Sequence, residues 1–527
     1  MISFRRVWGP LRAWSGLSFA IFCSSLVSVS VWAKPLQIIH TNDLHSYLES
    51  AEHAGWGGYA AVKTVIERLK RDAASRGIDS ITLDAGDFSE GSQFFFADKG
   101  KQTWRIIDSM GYDAVTIGNH DWLIGAQQME EIFSTLRPRT PFLAANMRID
   151  RKFPWLHRGI KSAIELERDG LKIAILGLTT DELVYRWRMN AGGIGAPLTS
   201  VEQLAPTLKN RNDLVIALTH LGVMEDIKLV GRTRGIDLVV GGHSHTRLST
   251  PLSIKNKSGA LVPIVQTGEH GQWVGSLILD VEPGKAAKVL SYELVPVRTE
   301  EGTRPEAATI ASMTETARKQ LESRYTPEWL YDTVGFSELP MERPVTRYTQ
   351  WGNFALEAIR EAAGADLAID PGEFHGSSQA AGVITNETII KSYPRVFEVN
   401  NPMGWTVWKI RVPGWLLKFL FEYVTNNGLH MNVAGLTFDS DSSSGKVKIS
   451  NIRVQGKPIK SFKNYTIGVT EGIGRGAIEI TFLLQLAFSP KNTGFPVWGV
   501  LERKLRETGG SFGDQSYVTP VTAGNIP

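Results

Sequence analysis

The sequence predicts an α/β protein with layered sheets, followed by a second and smaller α/β or α+β unit. From Pro35 to about Leu279, continuous Val, Ile and Leu runs alternate with stretches of helical spacing, a pattern typical of strands buried on both faces. A new helix-and-strand pattern begins at Tyr331, after a polar helical stretch. At 527 residues the chain is also longer than one hydrophobic core usually supports, which favours several domains.

The first 33 residues have the features of a cleaved export signal. Arg5, Arg6 and Arg12 form a basic start, an apolar segment follows, and Ala33 ends a plausible cleavage site. An uncleaved membrane anchor is the alternative, although serines make the segment only weakly hydrophobic. Because no later stretch has the composition of a transmembrane helix, we expect a soluble, periplasmic or secreted protein without a membrane anchor.

The mature chain is expected to be electrically neutral and free of cysteine. The full sequence has 57 basic and 54 acidic residues, and loss of the three signal arginines leaves equal numbers. This balance argues against a broad binding surface for nucleic-acid polymers or anionic membranes. Cys23 is the only cysteine and lies within the signal, so cleavage excludes disulfides, cysteine nucleophiles and thiolate metal sites.

Seven apolar runs in the first domain are predicted to be strands. They read LQIIHTND, SITLDAGD, DAVTIGNHD, PFLAANM, LKIAILGLTT, DLVIALTHLG and IDLVVGGHSH. The stretch AAVKTVIERLKRDAASRG, between the first two runs, has helical spacing. Five of the seven runs end in a cluster of His, Asp or Asn. Because strand ends meet in a crevice in open α/β sheets, these polar side chains are expected to converge.

The rest of the chain predicts a connector and a second unit. Residues 302–330 read as a polar helix with few apolar positions, which fits a connection between domains. The segment TQWGNFALEAIREAAGADLAI then combines a helix with a strand. A later segment, KVKISNIRVQGKPIKSFKNYTIGV, has the pattern of a sheet that contains a hairpin.

Residues able to bind metal fall in five short segments near these strand ends. They are Asp43, His45, Asp87, Asn119, His120, His220, His243 and His245. Any one alone is more often a capping Asp or a core His, but five such segments beside glycines favour a shared centre. Mixed carboxylate and imidazole ligands suit divalent cations, and two ions about 3.5–4 Å apart activate phosphoryl groups. Asp87 stands alone in its segment, as a bridging ligand could.

These motifs resemble those of a known family. The set TNDLH, GDFSEGS, GNHD, THLG and GHSH is similar to the motifs of calcineurin-like metallophosphoesterases. Four further segments resemble the secreted 5′-nucleotidase and 2′,3′-cyclic phosphodiesterase family. They are GWGGYAAV, QTGEHGQWVGSL, GNFALEAIREAAGADLAI and VAGLTFDSDSSSGKVKISNIRVQGKPI. The resemblance covers nearly the whole mature chain and is most specific in the first domain.

The resemblance implies a layered metallophosphoesterase sandwich followed by a smaller α/β 5′-nucleotidase-type C-terminal domain. The expected boundaries are residues 1–33 for the signal peptide, 34–300 for the metallophosphoesterase domain, 301–330 for a helical linker and 331–527 for the substrate-specificity domain. In this family the second domain is thought to rotate over the metals, so the linker would be the hinge region.

The resemblance also implies a ligand set for two divalent metal ions, such as Mn, Zn, Co or Ca. One ion would be held by Asp43, His45, Asp87 and His245, and the other by Asp87, Asn119, His220 and His243. His120 would stabilise charge on the phosphoryl group or protonate the leaving oxygen. A metal-bound hydroxide would attack phosphorus in line, without a covalent enzyme intermediate.

The sequence departs from the family pattern beside the catalytic His. Family members usually carry an Asp three residues after it, and this chain has Leu123 there. A carboxylate that pairs with His raises its pKa and fixes its tautomer, so its loss should weaken acid catalysis. Asp121 is a candidate substitute, with a helix-capping role as the alternative.

The second domain departs further in its substrate-binding motifs. Where the family has an Asn-Gly-Gly-x-x-Arg stretch, this chain reads DPGEFH and places His375 at the Arg position. The aromatic loop expected near the end reads EGIGRGAIEI, which includes Arg475 but no aromatic residue. Arg395, His375 and Arg475 are therefore the predicted substrate-binding residues. Phe397 or Trp405 would stack on a base, unless they are core residues.

The sequence thus predicts an exported dimetal phosphoesterase that acts on nucleotides, cyclic nucleotides or related small phosphoesters. Three alternatives stay open. The same family includes a thiosulfohydrolase of bacterial sulfur oxidation, which acts on a carrier protein. A different phosphoester, such as a sugar phosphate or a lipid-derived diester, is the second. The third is a non-enzymatic protein that retains metal, against which the intact ligand set and His120 argue.

Overall fold

The computed structural model describes residues 33–50, 55–182, 185–186, 189–397, 400–427, 430–443, 445–476, 485–509 and 511–512. The expected signal peptide, residues 1–33, lies outside the described residues except for Ala33. Among the described helices, none combines the length and the apolar composition that a membrane span requires.

The first half of the chain alternates strands and helices as expected. Its elements are β1 (Lys34–Thr41), α1 (Tyr59–Ala74), β2 (Asp79–Asp84), α2 (Gln93–Asp98), α3 (Lys101–Ser109), β3 (Ala114–Thr116), α4 (Asn119–Trp122), α5 (Ala126–Leu136), β4 (Phe142–Leu143), β5 (Met147–Ile149), α6 (Pro154–Gly159), β6 (Ile160–Lys161), β7 (Ala163–Arg168), β8 (Leu171–Thr179), β9 (Gly192–Ile194), α7 (Pro197–Lys209), β10 (Leu214–His220), α8 (Val223–Arg232), β11 (Leu238–Val240), β12 (Leu252–Lys255), β13 (Leu261–Val265), β14 (Trp273–Val281) and β15 (Lys288–Pro296). All seven apolar runs contain strands, and the predicted helix between the first two is α1, so these predictions are confirmed.

Thirteen of these fifteen strands form two facing sheets, and β5 and β9 pair separately. The order in the first is β15-β14-β1-β2-β3-β4-β6, and in the second it is β12-β13-β11-β10-β8-β7. The strands β1, β2, β3 and β4 pair in parallel, as do β8, β10, β11 and β13. All seven residues of β10 are buried, because helices and the opposite sheet cover its two faces.

The core between the two sheets is aliphatic. Leu36, Ile38 and Leu83 from the first sheet pack in one cluster with Ile175 and Ile216 from the second. Because both sheets are held by this core, the ends of β1, β2, β3, β10 and β11 are fixed relative to one another. The layered α/β sandwich that the sequence predicts is therefore observed.

The connecting region is largely helical. Two short 3₁₀ turns, Thr299–Thr303 and Pro305–Ala307, lead into α9 (Ala308–Tyr325) and α10 (Pro327–Leu330). The helix α9 packs on α1, α2 and α3 of the first half and buries only Ile310, Thr314, Ala317 and Leu321. Because so few of its positions are buried, the sequence of this stretch is mostly polar.

The second half is a mixed α/β unit. Its elements are β16 (Thr333–Ser337), α11 (Gln350–Ala363), β17 (Leu367–Pro371), a 3₁₀ turn (Gly372–Phe374), β18 (Gly382–Thr385), α12 (Asn386–Ser392), β19 (Thr406–Pro413), α13 (Gly414–Asn426), β20 (Met431–Ala434), β21 (Leu436–Asp441), β22 (Lys448–Val454), β23 (Lys457–Pro458), β24 (Asn464–Thr470), α14 (Glu471–Gly474), β25 (Lys491–Pro496), α15 (Val497–Glu507) and β26 (Ser511–Phe512). Its largest described sheet has the order β20-β17-β24-β19-β25, and β22 and β23 form the predicted hairpin. The smaller α/β unit is therefore also observed.

Charged side chains connect the two halves. Arg318, on α9, bonds to Glu49 of the first half and to Glu387 of the second, with Nη2 2.5 Å and Nη1 2.7 Å from the respective carboxylates. Arg343 of the second half pairs at 2.9 Å with Glu269 of the first. These ion pairs hold the second half beside the strand ends that carry the predicted metal ligands.

One buried histidine of the sandwich, His40, makes no side-chain hydrogen bond in the described structure. Neither ring nitrogen of His40 has a partner there, and its ring stacks on Tyr292 with 6.0 Å between centroids. Gly275 leaves room for the ring, because a Cβ at that position would lie 2.1 Å from Nε2 of His40. Burial lowers the pKa of His40 to about 3, so the folded protein keeps this imidazole neutral.

This burial predicts a loss of stability in mild acid. The unfolded chain binds a proton at His40 below about pH 6.5 while the folded chain does not, so stability is complete above that pH and falls as the pH drops. At pH 5 the loss from His40 alone is about 2 kcal/mol. His40→Phe keeps an aromatic ring but cannot titrate, so we expect it to reduce the difference in urea midpoint between pH 7 and pH 5, measured in EDTA.

Tyr292→Phe is the matched control for this prediction. It preserves the stacked ring and leaves His40 in place, so its dependence on pH should equal that of the wild type. If His40→Phe loses as much stability between pH 7 and pH 5 as the wild type, His40 does not contribute to acid sensitivity.

Candidate metal centre

Five strand ends bring the predicted ligands together. Asp43 and His45 follow β1, Asp87 follows β2, Asn119 opens α4 after β3, His220 ends β10, and His243 and His245 follow β11. The backbone φ angle is positive at five of these residues, namely Asp43, His45, Asp87, His243 and His245. Non-glycine residues rarely adopt this conformation, and its clustering indicates a functional site.

The side chains form two adjacent clusters. Asp43, His45 and His245 offer ligand atoms within 4.8 Å of one another, and so do Asp87, His220 and His243. Four of these six residues are buried, and His243 and His245 are partly exposed. The centre is therefore largely buried, and His243 and His245 are its partly exposed ligand candidates.

Asp87 lies between the two clusters. Its Oδ2 is 3.0 Å from Nε2 of His220 in its own cluster and 3.9 Å from Nε2 of His45 in the other. Its Oδ1 accepts a 2.7 Å hydrogen bond from the backbone N–H of His120. This geometry suits a carboxylate that bridges two ions.

The polar atoms around the centre fit divalent cations. Oδ1 of Asn119 is buried and has no hydrogen-bond partner among the described residues. An unsatisfied buried polar atom is costly, and a cation bound beside Asp87 and His220 would satisfy it. Oxygen and imidazole nitrogen ligands without thiolate are the donors that Mn or Zn sites use.

Backbone carbonyls orient two of the imidazoles. Nδ1 of His45 donates to the carbonyl of Glu90 at 2.6 Å, and Nδ1 of His220 donates to that of Ala85 at 2.7 Å. With Nδ1 protonated, Nε2 is the atom left for a metal, which is how proteins fix the tautomer of a ligand His. Burial alone would lower the pKa of His220, but Asp87 and Asp43 raise it to about 10, so a cation must displace a proton there.

Three glutamates that the sequence analysis missed contact the imidazoles of the site. Glu90 accepts from Nδ1 of His120, Glu182 lies 3.1 Å from Nε2 of His243, and Glu269 contacts Nδ1 of His245. Burial alone would raise the pKa of Glu269, but Arg343 and the neighbouring histidines hold it well below its usual range. Glu90 and Glu269 occur inside the motifs GDFSEGS and QTGEHGQW, so their proximity to the motif glycines was the available signal.

Asp121 has the capping role that the sequence analysis gave as the alternative to pairing with His120. Its carboxylate accepts hydrogen bonds of 2.8–3.0 Å from the backbone N–H groups of Gly118, Asp87, Phe88 and Ser89. None of the contacts described for it involves the imidazole of His120. It thus fixes the loop that presents Asp87. At the position where the family has Asp, Leu123 packs on the apolar core.

Of the predicted substrate-binding residues, the structure brings Arg395 to the centre. Its Nη1 lies 3.5 Å from Oε2 of Glu90 and has no hydrogen-bond partner among the described residues. Its Nη2 and Nε donate to the carbonyls of Glu373 and Phe374 at 2.8 and 3.2 Å. The guanidinium is therefore held by the second half with one donor directed at the metal centre.

The other two predicted residues have different surroundings. His375 is only 1% exposed, and its ring packs against Tyr393 with 5.1 Å between centroids. Arg475 bonds to Glu471 at 2.6 Å and lies beside the ring of Trp408. No described contact joins either side chain to the two clusters, so their roles in substrate binding stay predictions.

The two aromatic side chains predicted to stack on a base pack against each other. Phe397 and Trp405 are 4.9 Å apart with nearly parallel rings. A separate cleft of about 670 Å³ opens between the two halves and is lined by Tyr47, Arg343 and Lys391 among others. Tyr47 also packs on His270, at 3.9 Å between ring centroids, and His270 contacts the ring of His45. The cleft therefore lies close to the cluster of Asp43, His45 and His245, and it has the volume of a small-molecule site.

Comparison with known sequences identifies both halves. Residues 36–247 match the calcineurin-like phosphoesterase family, and residues 333–485 match the 5′-nucleotidase C-terminal domain. The trifunctional nucleotide phosphoesterase YfkN of Bacillus subtilis is 24% identical over 93% of this chain, which spans only 35% of that protein. Protein UshA of Yersinia enterocolitica is 25% identical over 82% of this chain and 84% of its own length.

Solved structures share the fold over almost the entire chain. A 5′-nucleotidase precursor from Thermus thermophilus superposes with a TM-score of 0.76 at 23% identity, over 92% of this chain and 99% of that one. The sulfate thiohydrolase SoxB from the same organism superposes with a TM-score of 0.72 at 17% identity, over 93% and 97%. At such identities the likeness concerns the fold alone.

The geometry predicts that metal binding stabilises the protein. A ligand that binds only the folded state, at about a thousand times its Kd, adds about 4 kcal/mol to the free energy of unfolding. We therefore expect the melting temperature to fall in EDTA and to recover with Mn. Asp87→Asn removes the charge of the predicted shared ligand, so Mn should raise the melting temperature of that variant by less than half as much.

Asp169→Asn is the control for this measurement, because Asp169 is an exposed turn residue that pairs with Lys34. It should respond to EDTA and Mn as the wild type does. A wild-type melting temperature that neither EDTA nor Mn changes would contradict metal binding at this centre.

Proposed function

We propose that this chain, which belongs to the calcineurin-like phosphoesterases with a C-terminal 5′-nucleotidase domain, is an exported enzyme that hydrolyses nucleotides or related small phosphoesters. The family consists of metal-dependent phosphoester hydrolases. The observation that supports this most is the position of Asp87 between two clusters of ligands, beside His120. Two divalent ions bound there would polarise a phosphoryl oxygen and lower the pKa of a water molecule.

The side chain of His120 is proposed to assist the leaving group. It is 21% exposed, and its ring lies 4.9 Å from that of His45, at the first cluster. Nδ1 is engaged by Glu90, so Nε2 is the ring nitrogen available to a substrate. A proton delivered from Nε2 to the departing oxygen would avoid the formation of an unstable alkoxide.

Arg395 is proposed to bind the phosphoryl group. Its Nη1 has no hydrogen-bond partner in the described structure and faces the centre beside Glu90. A guanidinium in this position can bind a phosphoryl oxygen with a charge-assisted hydrogen bond. Because Arg395 belongs to the second half, substrate binding would require both halves to be in their present arrangement.

Nucleotides are the proposed substrates because 93% of this chain is similar to the nucleotide phosphoesterase YfkN, although the match covers only 35% of that protein. The cleft beside Tyr47 and Arg343 offers space for the remainder of such a substrate. The roles of His375 and Arg475 stay proposals, as do the domain boundaries at residues 300, 330 and 331. No described contact favours a thiosulfonate over a phosphoester.

Export is proposed from the basic and apolar composition of residues 1–33. Expression of the full chain in a bacterial host should yield a periplasmic protein that begins at Lys34. Mass spectrometry of the purified protein measures this directly. A full-length product that stays in the cytoplasm would contradict export.

An assay with four substrates tests the proposed activity. The Mn-loaded chain from Lys34 onward should turn over AMP, a cyclic nucleotide or an aryl phosphodiester, but not a carrier-linked thiosulfonate. His120→Ala should lower kcat by about 10²–10⁴-fold, since that is the usual contribution of a positioned acid. His157→Ala, at an exposed position on α6, should leave kcat unchanged.

Each outcome of this assay has a separate meaning. Turnover of the thiosulfonate alone would assign the sulfur-oxidation activity to this fold. Absence of turnover on all four substrates would favour a protein that only binds metal. Equal rates for the wild type and His120→Ala would exclude His120 from the reaction.

A further inference from the structure

The imidazole of His120 has a carboxylate partner that lies outside the expected position. The family position three residues later is Leu123, which packs on apolar side chains. The nearest acid in sequence, Asp121, is occupied by four backbone N–H groups. The structure instead brings Glu90, from the loop after β2, to Nδ1 of His120.

Glu90 is held firmly at this place. Its side chain is only 5% exposed, and its own carbonyl accepts the 2.6 Å hydrogen bond from Nδ1 of His45. The next residue, Gly91, has a φ of 142°, and a Cβ there would lie 2.7 Å from the Cβ of His45. The loop can therefore carry Glu90 this close to the first cluster only with glycine at position 91.

Arg395 approaches the same carboxylate from the second half of the chain. Its Nη1 is 3.5 Å from Oε2 of Glu90, the oxygen that also accepts from His120. Two further donors of the guanidinium are bonded to the carbonyls of residues 373 and 374. Glu90 thus accepts a hydrogen bond from His120 of the first half and lies at ion-pair distance from Arg395 of the second.

We propose that Glu90 is the positioning residue of His120 and takes over the role of the Asp that this chain lacks. It acts by accepting Nδ1–H, which fixes the rotation of the ring and leaves Nε2 directed at the substrate. This inference rests on the proposed phosphoester hydrolysis. In that reaction a water molecule loses a proton to solvent as its oxygen bonds to phosphorus, the ester P–O bond breaks, and the proton on Nε2 of His120 goes to the leaving oxygen. Solvent then returns a proton to Nε2, so the net change is the addition of one water molecule across the ester bond.

The role predicts a dependence on the leaving group. A nucleoside alkoxide is a poor leaving group and needs the proton from His120, whereas p-nitrophenolate departs without one. A misplaced imidazole should therefore slow AMP hydrolysis strongly and p-nitrophenyl phosphate hydrolysis weakly. Damage to the metal centre or to the fold would slow both reactions equally.

Glu90→Gln tests this with little change in shape. For AMP we expect kcat to fall by about 10²-fold with KM within about twofold of the wild type, since positioned proton transfer contributes about 10²–10⁴-fold. For p-nitrophenyl phosphate, kcat should fall by less than about fivefold. Metal content and melting temperature should match the wild type. Glu131→Gln, an exposed glutamate that bonds to Lys101, is the control and should leave both rates unchanged.

Glu90→Asp is the second variant, for the case in which the amide destabilises the loop. It retains the charge, so its ratio of AMP to p-nitrophenyl phosphate rates should lie closer to the wild type than that of Glu90→Gln. Equal losses on the two substrates in both variants would overturn the positioning role, and so would an unchanged rate on AMP in Glu90→Gln. A wild type that hydrolyses neither of these esters, nor a cyclic nucleotide or an aryl phosphodiester, would overturn the proposed function itself.

Discussion

The carboxylate of Asp87 joins the two ligand clusters at the strand ends, and the chemistry proposed for the centre requires it. It is 3.0 Å from His220 in one cluster and 3.9 Å from His45 in the other, and it accepts the backbone N–H of His120. A single side chain thus contacts both clusters and the backbone that carries the proposed acid. Two positive ions at such a short separation would repel each other strongly, and a shared negative ligand reduces this repulsion.

The surrounding backbone is shaped to present this carboxylate. Asp87 has a φ of 56°, and a Cβ at Gly118 would lie 2.1 Å from its Oδ1, so glycine is required there. Asp121 binds the N–H groups of the loop, including that of Asp87 itself. The aliphatic core between the two sheets fixes the strand ends relative to one another. Because this core is rigid, the strained loops at the strand ends are tolerated.

The sequence predicted the strands and the ligand clusters because both leave local patterns: buried Val and Ile runs, and His or Asp beside glycine. It did not predict Glu182, because a Glu outside the motifs carries no local signature and meets its His only after folding. Glu182, for example, is 61 residues from His243. His375 occupies the family's arginine position in sequence, yet burial against Tyr393 is decided by tertiary packing that no motif encodes.

The most direct test of the shared carboxylate is an electron paramagnetic resonance spectrum of the protein loaded with two equivalents of Mn(II). Ions about 3.5–4 Å apart and bridged by a carboxylate are magnetically coupled. A carboxylate shared by two ions should give a coupled dimanganese signal, which Asp87→Asn converts into the six-line signal of isolated Mn(II). An isolated six-line spectrum in the wild type at full loading would contradict a centre built around Asp87.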